Sequence, residues 1–252
     1  SLRLPDTELT DEKLQMLWSM KGLNILTIDK VMTDEERKKV KDGFSYNVMV
    51  NSKDPNVVVR AGTAPPARVL SFPAEASVGR VAIRKWKESS QMWQYLAAAK
   101  GDVNIPANME IQLEVSKDIT DLSFLKAMQD ERDETVLYSL VLSGPSINDE
   151  SMDGVSVLRT LYALEMSQTS VTAAGMNKLI TLRGLEYLKI DGTKMPNDGL
   201  EVLKEMINLN RVEIYNAPNI TTGVIPIFKQ LRMLKRLHLQ GTGITQEQLR
   251  QM

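Results

Sequence analysis

The sequence predicts an α/β fold: a solenoid of short parallel strands with short helices on the opposite side, interrupted by a small β-rich module. Three observations predict it. Aliphatic pairs recur from Leu140 and Leu142 through Leu164 and Met166, Leu188 and Ile190, and Val212 and Ile214 to Leu237 and Leu239, with steps of 24, 24, 24 and 25 residues. After each pair the apolar residues change from strand alternation to helical spacing, as in LEYLKIDGTKMPNDGLEVLKEM, Leu185 to Met206. Residues from about 51 to 110 escape this rule and carry short β-rich runs separated by Pro, Gly and Asn. Self-similarity at a fixed step marks units that cannot bury an apolar face alone and must stack on neighbours.

The chain divides accordingly into short or degenerate repeats over 1–50, a β-rich insert or capping module over 51–110, and a regular array over 111–252. In the first part, Leu2 and Leu4 lead to Thr7, Leu9, Thr10, Leu14, Leu17, Met20, Leu23 and Leu26. Leu26 and Ile28 open a weaker copy, with Arg37 at an ordinarily apolar position, and Val48 and Val50 follow 22 residues later. The middle part holds NVVVRAG, RVLSF, GRVAIRKW and GDVNIPANMEIQLEV as strands, and ESSQMWQYLAAAK is expected to form a short helix, with strand as the alternative. Trp86 and Trp93 are expected in the module's core, because so small a sheet needs its large aromatics for burial.

The third part resumes at Leu113 and Val115, 27 residues before Leu140 and Leu142, and the acidic run DERDE can hold the extra three. The single extra residue before Leu237 falls in the NAPN turn, Asn216 to Asn219. Thr10, Asn148, Thr172 and Thr245 read as helix N-caps. Thr245 with Gln248, and Thr33 with Glu36, fit the capping box.

This pattern, LxxLxLxxTxIT followed by a short amphipathic segment, resembles the leucine-rich repeat family in its bacterial form. Five in-register copies carry the likeness from about Ile111 onward, and residues 1–50 share it less regularly. The resemblance implies parallel strands on a concave face and short helices on a convex one. The family places Asn or Cys where this chain has Thr169, Thr193 and Thr242; a threonine hydroxyl can still bond turn amides, whereas Pro145 and Ala217 in the same slot cannot. FPAEASVGRVAIRKW with GDVNIPANMEIQLEV is similar to a β module that precedes the repeats in large bacterial members.

Composition bounds the function. The 252 residues are 42% hydrophobic and 25% charged, near the globular average, and no apolar run is long enough to span a membrane. A net charge of -1 argues against a generic nucleic-acid binder. The absence of cysteine removes disulfides, thiol nucleophiles and cysteine-based zinc sites, and cytoplasm and cell envelope fit equally. Leu2 already sits in a repeat strand and Met252 corresponds to Leu203, part-way through a helix, so excision from a longer protein is the expectation.

Little in the sequence suggests chemistry. His238 is the only histidine, which rules out imidazole clusters within one chain. DGTKMPND, Asp191 to Asp198, offers oxygen ligands without the spacing of a calcium loop. No phosphate loop or nucleophile elbow occurs. No cofactor is expected.

Recognition is the better reading. Strand alternation places Tyr187, Lys189, Asp191, Arg211, Glu213, Tyr215, Arg236 and His238 on the concave face, a patch rich in the residue types that dominate interaction hot spots. The expected function is therefore a non-catalytic protein-binding scaffold. The alternative is a carbohydrate- or envelope-binding protein acting through the module, where Arg80, Arg84, Lys85 and Lys87 interleave with Trp86, Trp93 and Tyr95. The partner's identity and the oligomeric state are open at this level.

Overall fold

The computed structural model describes residues 2–4, 9–20, 25–28, 35–36, 39–40, 48–52, 58–61, 64–88, 90–128, 137–159, 161–182, 184–245 and 247–248. The strands are β1 (Leu2–Leu4), β2 (Ile25–Ile28), β3 (Val48–Ser52), β4 (Val58–Ala61), β5 (Arg68–Ser71), β6 (Gly79–Lys85) and β7 (Gln94–Ala98). There follow β8 (Asp102–Ile105), β9 (Met109–Val115), β10 (Ser139–Ser143), β11 (Ala163–Ser167), β12 (Tyr187–Asp191), β13 (Arg211–Tyr215) and β14 (Arg236–Gln240). The chain is an α/β protein with a mostly parallel eight-stranded sheet, ordered β14-β13-β12-β11-β10-β9-β6-β7, and short helices between its parallel strands.

The 24-residue step appears directly as strand register. Leu140 lies opposite Leu164, Leu164 opposite Leu188 and Leu188 opposite Val212, while Val212 meets Leu237 after 25 residues. The step from Leu113 to Leu140 is 27, and the acidic run expected to absorb it lies outside the described residues. Leu140, Leu142, Leu164, Leu188, Val212 and Ile214 are fully buried. Burial of each such side chain stabilises by about 1.5–3 kcal/mol.

Each strand from β10 to β14 is followed by a residue in the left-handed region: Gly144, Gln168, Gly192, Asn216 and Gly241, with φ of 98°, 56°, 65°, 49° and 65°. That corner turns the chain while its N–H stays in the ladder, since Gly144, Gln168, Gly192 and Asn216 donate to Ser167, Asp191, Tyr215 and Gln240. After the corner, the Thr193 hydroxyl accepts the Met195 N–H at 3.1 Å and Thr242 accepts that of Ile244 at 3.4 Å. Ala217 in the same slot is fully buried instead. Asn216 and Gly241 are 25 apart, whereas the buried Ile220 and Ile244 are 24 apart, so the extra residue falls between Asn216 and Ile220.

The return segments are short and partly 3-10 helical: Ser123–Met128, Met152–Ser156, Ala173–Lys178 with Leu179–Thr181, Asn197–Glu205, and Thr222–Val224 with Ile225–Gln230. Neighbours are laced together there. Asn197 accepts the Thr221 N–H and donates to its hydroxyl, both at 2.8 Å. Gly223 permits this contact, because a Cβ at that position would lie 2.6 Å from the Asn197 Nδ2. Thr10 and Thr172 cap their helices, and Thr245 and Gln248 exchange both bonds of the capping box. Asn148 does not cap: its Oδ1 accepts from Glu150 and Ser151 one turn early, and the helix begins after Ser151. The box at Thr33 lies outside the described residues.

Strands β6 and β7 extend the eight-stranded sheet beyond β9 as antiparallel strands. β6 pairs antiparallel with β9 along seven residues, Gly79 to Lys85 against Val115 to Met109, and β7 forms the edge. β9 itself crosses residue 110, and β3 crosses residue 50. The helix expected over ESSQMWQYLAAAK is the strand β7, because Gln94–Ala98 meets the unpaired side of β6 and ladder bonds outweigh weak local preference. A separate antiparallel pair, β5 with β8, covers the core with Leu70, Val103 and Ile105.

The N-terminal strands form a second sheet, β1-β2-β3-β4, in which β4 alone is antiparallel to its neighbour. Leu2 lies opposite Leu26, and Leu26 opposite Val50. The second step is thus 24 and not the 22 expected from Val48, a two-residue shift that leaves the faces of the strand unchanged.

The left-handed corner generates a test. Gly192→Ala should lower stability by about 1–2 kcal/mol, the cost of a Cβ in that region, while Gln168→Gly should be neutral or stabilising. Urea denaturation of both variants checks this, and equal losses would remove the corner from the account.

Candidate functional site

Alternation splits β12 and β13 into a buried set and a half-exposed outward set, and on β14 the inward pair is half-buried and the outward set exposed. Parallel register brings three rows together: Tyr187, Arg211 and Arg236; Lys189, Glu213 and His238; Asp191, Tyr215 and Gln240. All eight residues named from the sequence thus lie on one face of adjacent strands.

Glu213 organises the centre. Its Oε1 accepts from Arg211 Nε at 2.8 Å and from the guanidinium's second nitrogen at 2.5 Å. Its Oε2 accepts the hydroxyls of Tyr187 at 3.1 Å and Tyr215 at 3.3 Å. The Arg211 guanidinium also lies 4.8 Å from the Tyr187 ring centre, stacking on the residue beside it. The Glu213 side chain is only 13% exposed while that of Arg211 is 43% exposed, so the acid is sunk beneath its cation.

Electrostatics follow from this arrangement. Burial works to raise the Glu213 carboxyl, but the Arg211 hydrogen bond and charge and the two tyrosine hydroxyls outweigh it and hold the group below its ordinary range. Burial, then the charges of Glu165 and Glu213, push the Tyr187 hydroxyl well up, which keeps it a donor. Tyr215 moves the same way through burial and Glu213. The hydrogen bond to Glu213 raises Arg211.

The periphery is less committed. Lys189 pairs with Glu165 of β11 at 3.4 Å, and Asn216 donates to Asp191 at 2.8 Å. The His238 ring lies 5.1 Å from that of Tyr215, and His238 and Arg236 are exposed. The rows thus grade from a tied network on β12 and β13 to open side chains on β14.

A second constellation at the strand entries escaped the sequence reading. The carbonyls of Tyr138, Tyr162, Glu186 and Asn210 each accept two N–H groups from the next strand's entry, as Tyr162 does from Glu186 at 2.9 Å and Tyr187 at 3.1 Å. Their side chains also meet: the Tyr138 and Tyr162 rings are 4.3 Å apart, and Asn210 donates to Glu186 at 2.7 Å. Arg84 sits between Trp93 and Tyr138, 4.3 Å and 4.6 Å from their ring centres, and pairs with the buried Glu110 at 2.6 Å. The 24-residue spacing of Tyr138, Tyr162, Glu186 and Asn210 was the available signal, one residue upstream of the outward set.

The two tryptophans are half-buried, which corrects their expected place in the core. Leu70, Phe72, Val78, Val81, Val103 and Ile105 fill that core. Arg84 covers one face of Trp93, and the Lys87 ammonium lies 5.6 Å from the Trp86 ring centre.

Among the described residues no group of three or more His, Asp or Glu side chains converges to hold a metal, and no helix is long and apolar enough to cross a membrane.

The Glu213 network gives a pH signature. A carboxyl held low contributes stability above its unfolded pKa, and that contribution disappears as pH falls through the folded value. Glu213→Gln should cost about 1–2 kcal/mol at neutral pH, and the gap to the wild type should narrow below the ordinary carboxylate range, about pH 4.3. Denaturation midpoints across pH 3 to 8, on the order of that range, check it; a pH-independent gap would mean that Glu213 acts through packing alone.

No protein-family model matches the chain, and no curated protein does.

Proposed function

We propose that the chain is a non-catalytic protein-binding scaffold of the leucine-rich repeat type, a solenoid that recognises its partner with the concave face of the parallel sheet. The observation that carries this reading is the half-exposed network of Tyr187, Arg211, Glu213 and Tyr215. Tyr and Arg supply large contact area and directional donors at interfaces. Here their rotamers are tied to one half-buried carboxylate before any partner arrives, which reduces the ordering cost of association. The constant strand step, the corner residues and the alternating burial support the repeat assignment. In this reading β6 and β7 cap the array at its β9 end.

A paired capture tests the proposal. One bait is the chain, and the other carries Tyr187→Ala, Arg211→Ala and Tyr215→Ala, with folding confirmed by circular dichroism and thermal melting. A protein held by the first bait should be lost from the second by about tenfold or more, as removal of interface hot spots predicts. Equal capture by both baits would move recognition off this face.

A further inference from the structure

Each parallel strand and the return segment after it form one unit, and the units of β10 to β14 share a sequence frame just past the left-handed corner. A buried aliphatic comes first, at Ile147, Val171, Ile220 and Ile244, and a polar residue follows it, at Asn148, Thr172, Thr221 and Thr245. The unit of β12 departs from this frame, with Met195 and Pro196 in those places. A further departure lies in the unit of β11, where Ala173 stands in line with Asp149 and Asn197.

These departures meet at one junction. Between the units of β10 and β11, Asp149 accepts the Thr172 N–H at 2.7 Å and its hydroxyl at 2.6 Å. Asn197 clasps Thr221 in the same way between the units of β12 and β13. Between the units of β11 and β12 neither half of this clasp exists, because Ala173 has no side-chain oxygen and Pro196 has neither an N–H nor a hydroxyl. The backbone differs there too. Ser170 donates to the Ile147 carbonyl and Gly243 to that of Ile220, both at 2.8 Å, whereas the corresponding Lys194 N–H makes no bond to Val171. Among the described residues no hydrogen bond or ion pair joins 168–182 to 192–206. Every other junction from β9 to β14 keeps at least one on this side, down to the Ser151 hydroxyl on the Thr120 carbonyl at 3.3 Å beside β9.

What remains on the helical side is apolar contact. Ala173–Lys178 packs against Asn197–Glu205, and Met176, Leu200 and Leu203 are fully buried. Such contact is non-directional and fixes spacing and angle less tightly than a hydrogen bond does. Met195 adds an unbranched, adaptable side chain where the other units carry a stiff β-branched one. On the strand side the ladder is intact, with Ala163 to Ser167 opposite Tyr187 to Asp191. Where units touch only their neighbours, bending concentrates at the interface that is least tied.

We propose that the junction between the units of β11 and β12 is a hinge. The ladder is the pivot, and the two clasped pairs of units open and close against each other on the helical side. Tyr187 and Lys189 stand on one side of the pivot and Ala163 and Glu165 on the other, so bending alters how the outward rows are presented. A partner seated across both sides selects one curvature, but the hinge is a property of the chain and does not rest on that reading.

The chain has no cysteine, so Glu150→Cys and Lys229→Cys each take one spin label, at exposed positions in the units of β10 and β13. Double electron–electron resonance gives the distribution of distances between the labels. Ala173→Asn with Pro196→Thr builds the missing clasp and should narrow that distribution by about twofold. Asn197→Ala with Thr221→Val releases a second junction and should broaden it. The two variants act in opposite directions, so the test stands even if one of them folds poorly. A parent distribution no wider than that of the built clasp, or one that loss of the Asn197 clasp leaves unchanged, overturns the proposal.

Discussion

Each parallel strand from β10 onward must return the chain to its neighbour's edge with an aliphatic pair facing inward, and nearly everything else in the array depends on that return. A period-2 strand cannot keep its apolar side chains inside unless the register is even, and the steps between Leu140, Leu164, Leu188 and Val212 preserve the match. Where the step grows to 25, the extra residue is placed in a turn after Asn216, and Leu237 still falls opposite Val212. The constraint thus acts on where strands meet more than on how many residues lie between them.

The return is cheap in residues because its corner is tight. One left-handed residue reverses the chain while its N–H stays in the ladder, and a buried threonine hydroxyl or an apolar residue completes the turn. The helical segments are left with one short task, to cover the inward aliphatics, and mixed α and 3-10 geometry suffices for it. Lacing such as Asn197 with Thr221 joins neighbours on that side as the ladder does on the other.

The same constraint builds the candidate face. Because inward positions are fixed, the outward positions of successive strands fall in rows, and residues 24 or 25 apart in sequence become neighbours. Glu213 can then collect Tyr187 from one strand and Arg211 and Tyr215 from its own. The array's two edges differ for a related reason. At β9 an antiparallel strand, β6, takes over the pairing, whereas β14 shows no pairing strand among the described residues.

What the sequence determined by itself was periodic: the parallel strands, their faces, the turn after Asn216 and the eight residues of the outward rows follow from steps of 24 and an alternation of two. Repetition makes this legible, since a local pattern that recurs in register reports a long-range contact. Only the tertiary structure decided what happens where repetition fails or where partners are remote. Gln94–Ala98 became a strand because the free edge of β6 outweighed its local preference. Val50, and not Val48, took the register place beside Leu26 because a two-residue slip costs nothing in facing. Arg84 found Trp93, Tyr138 and Glu110 across segments that share no period, and Glu213 became the centre of its row through distances that alternation cannot specify. Side-chain pairing depends on which rotamers meet in space, and that information is absent from a one-dimensional pattern.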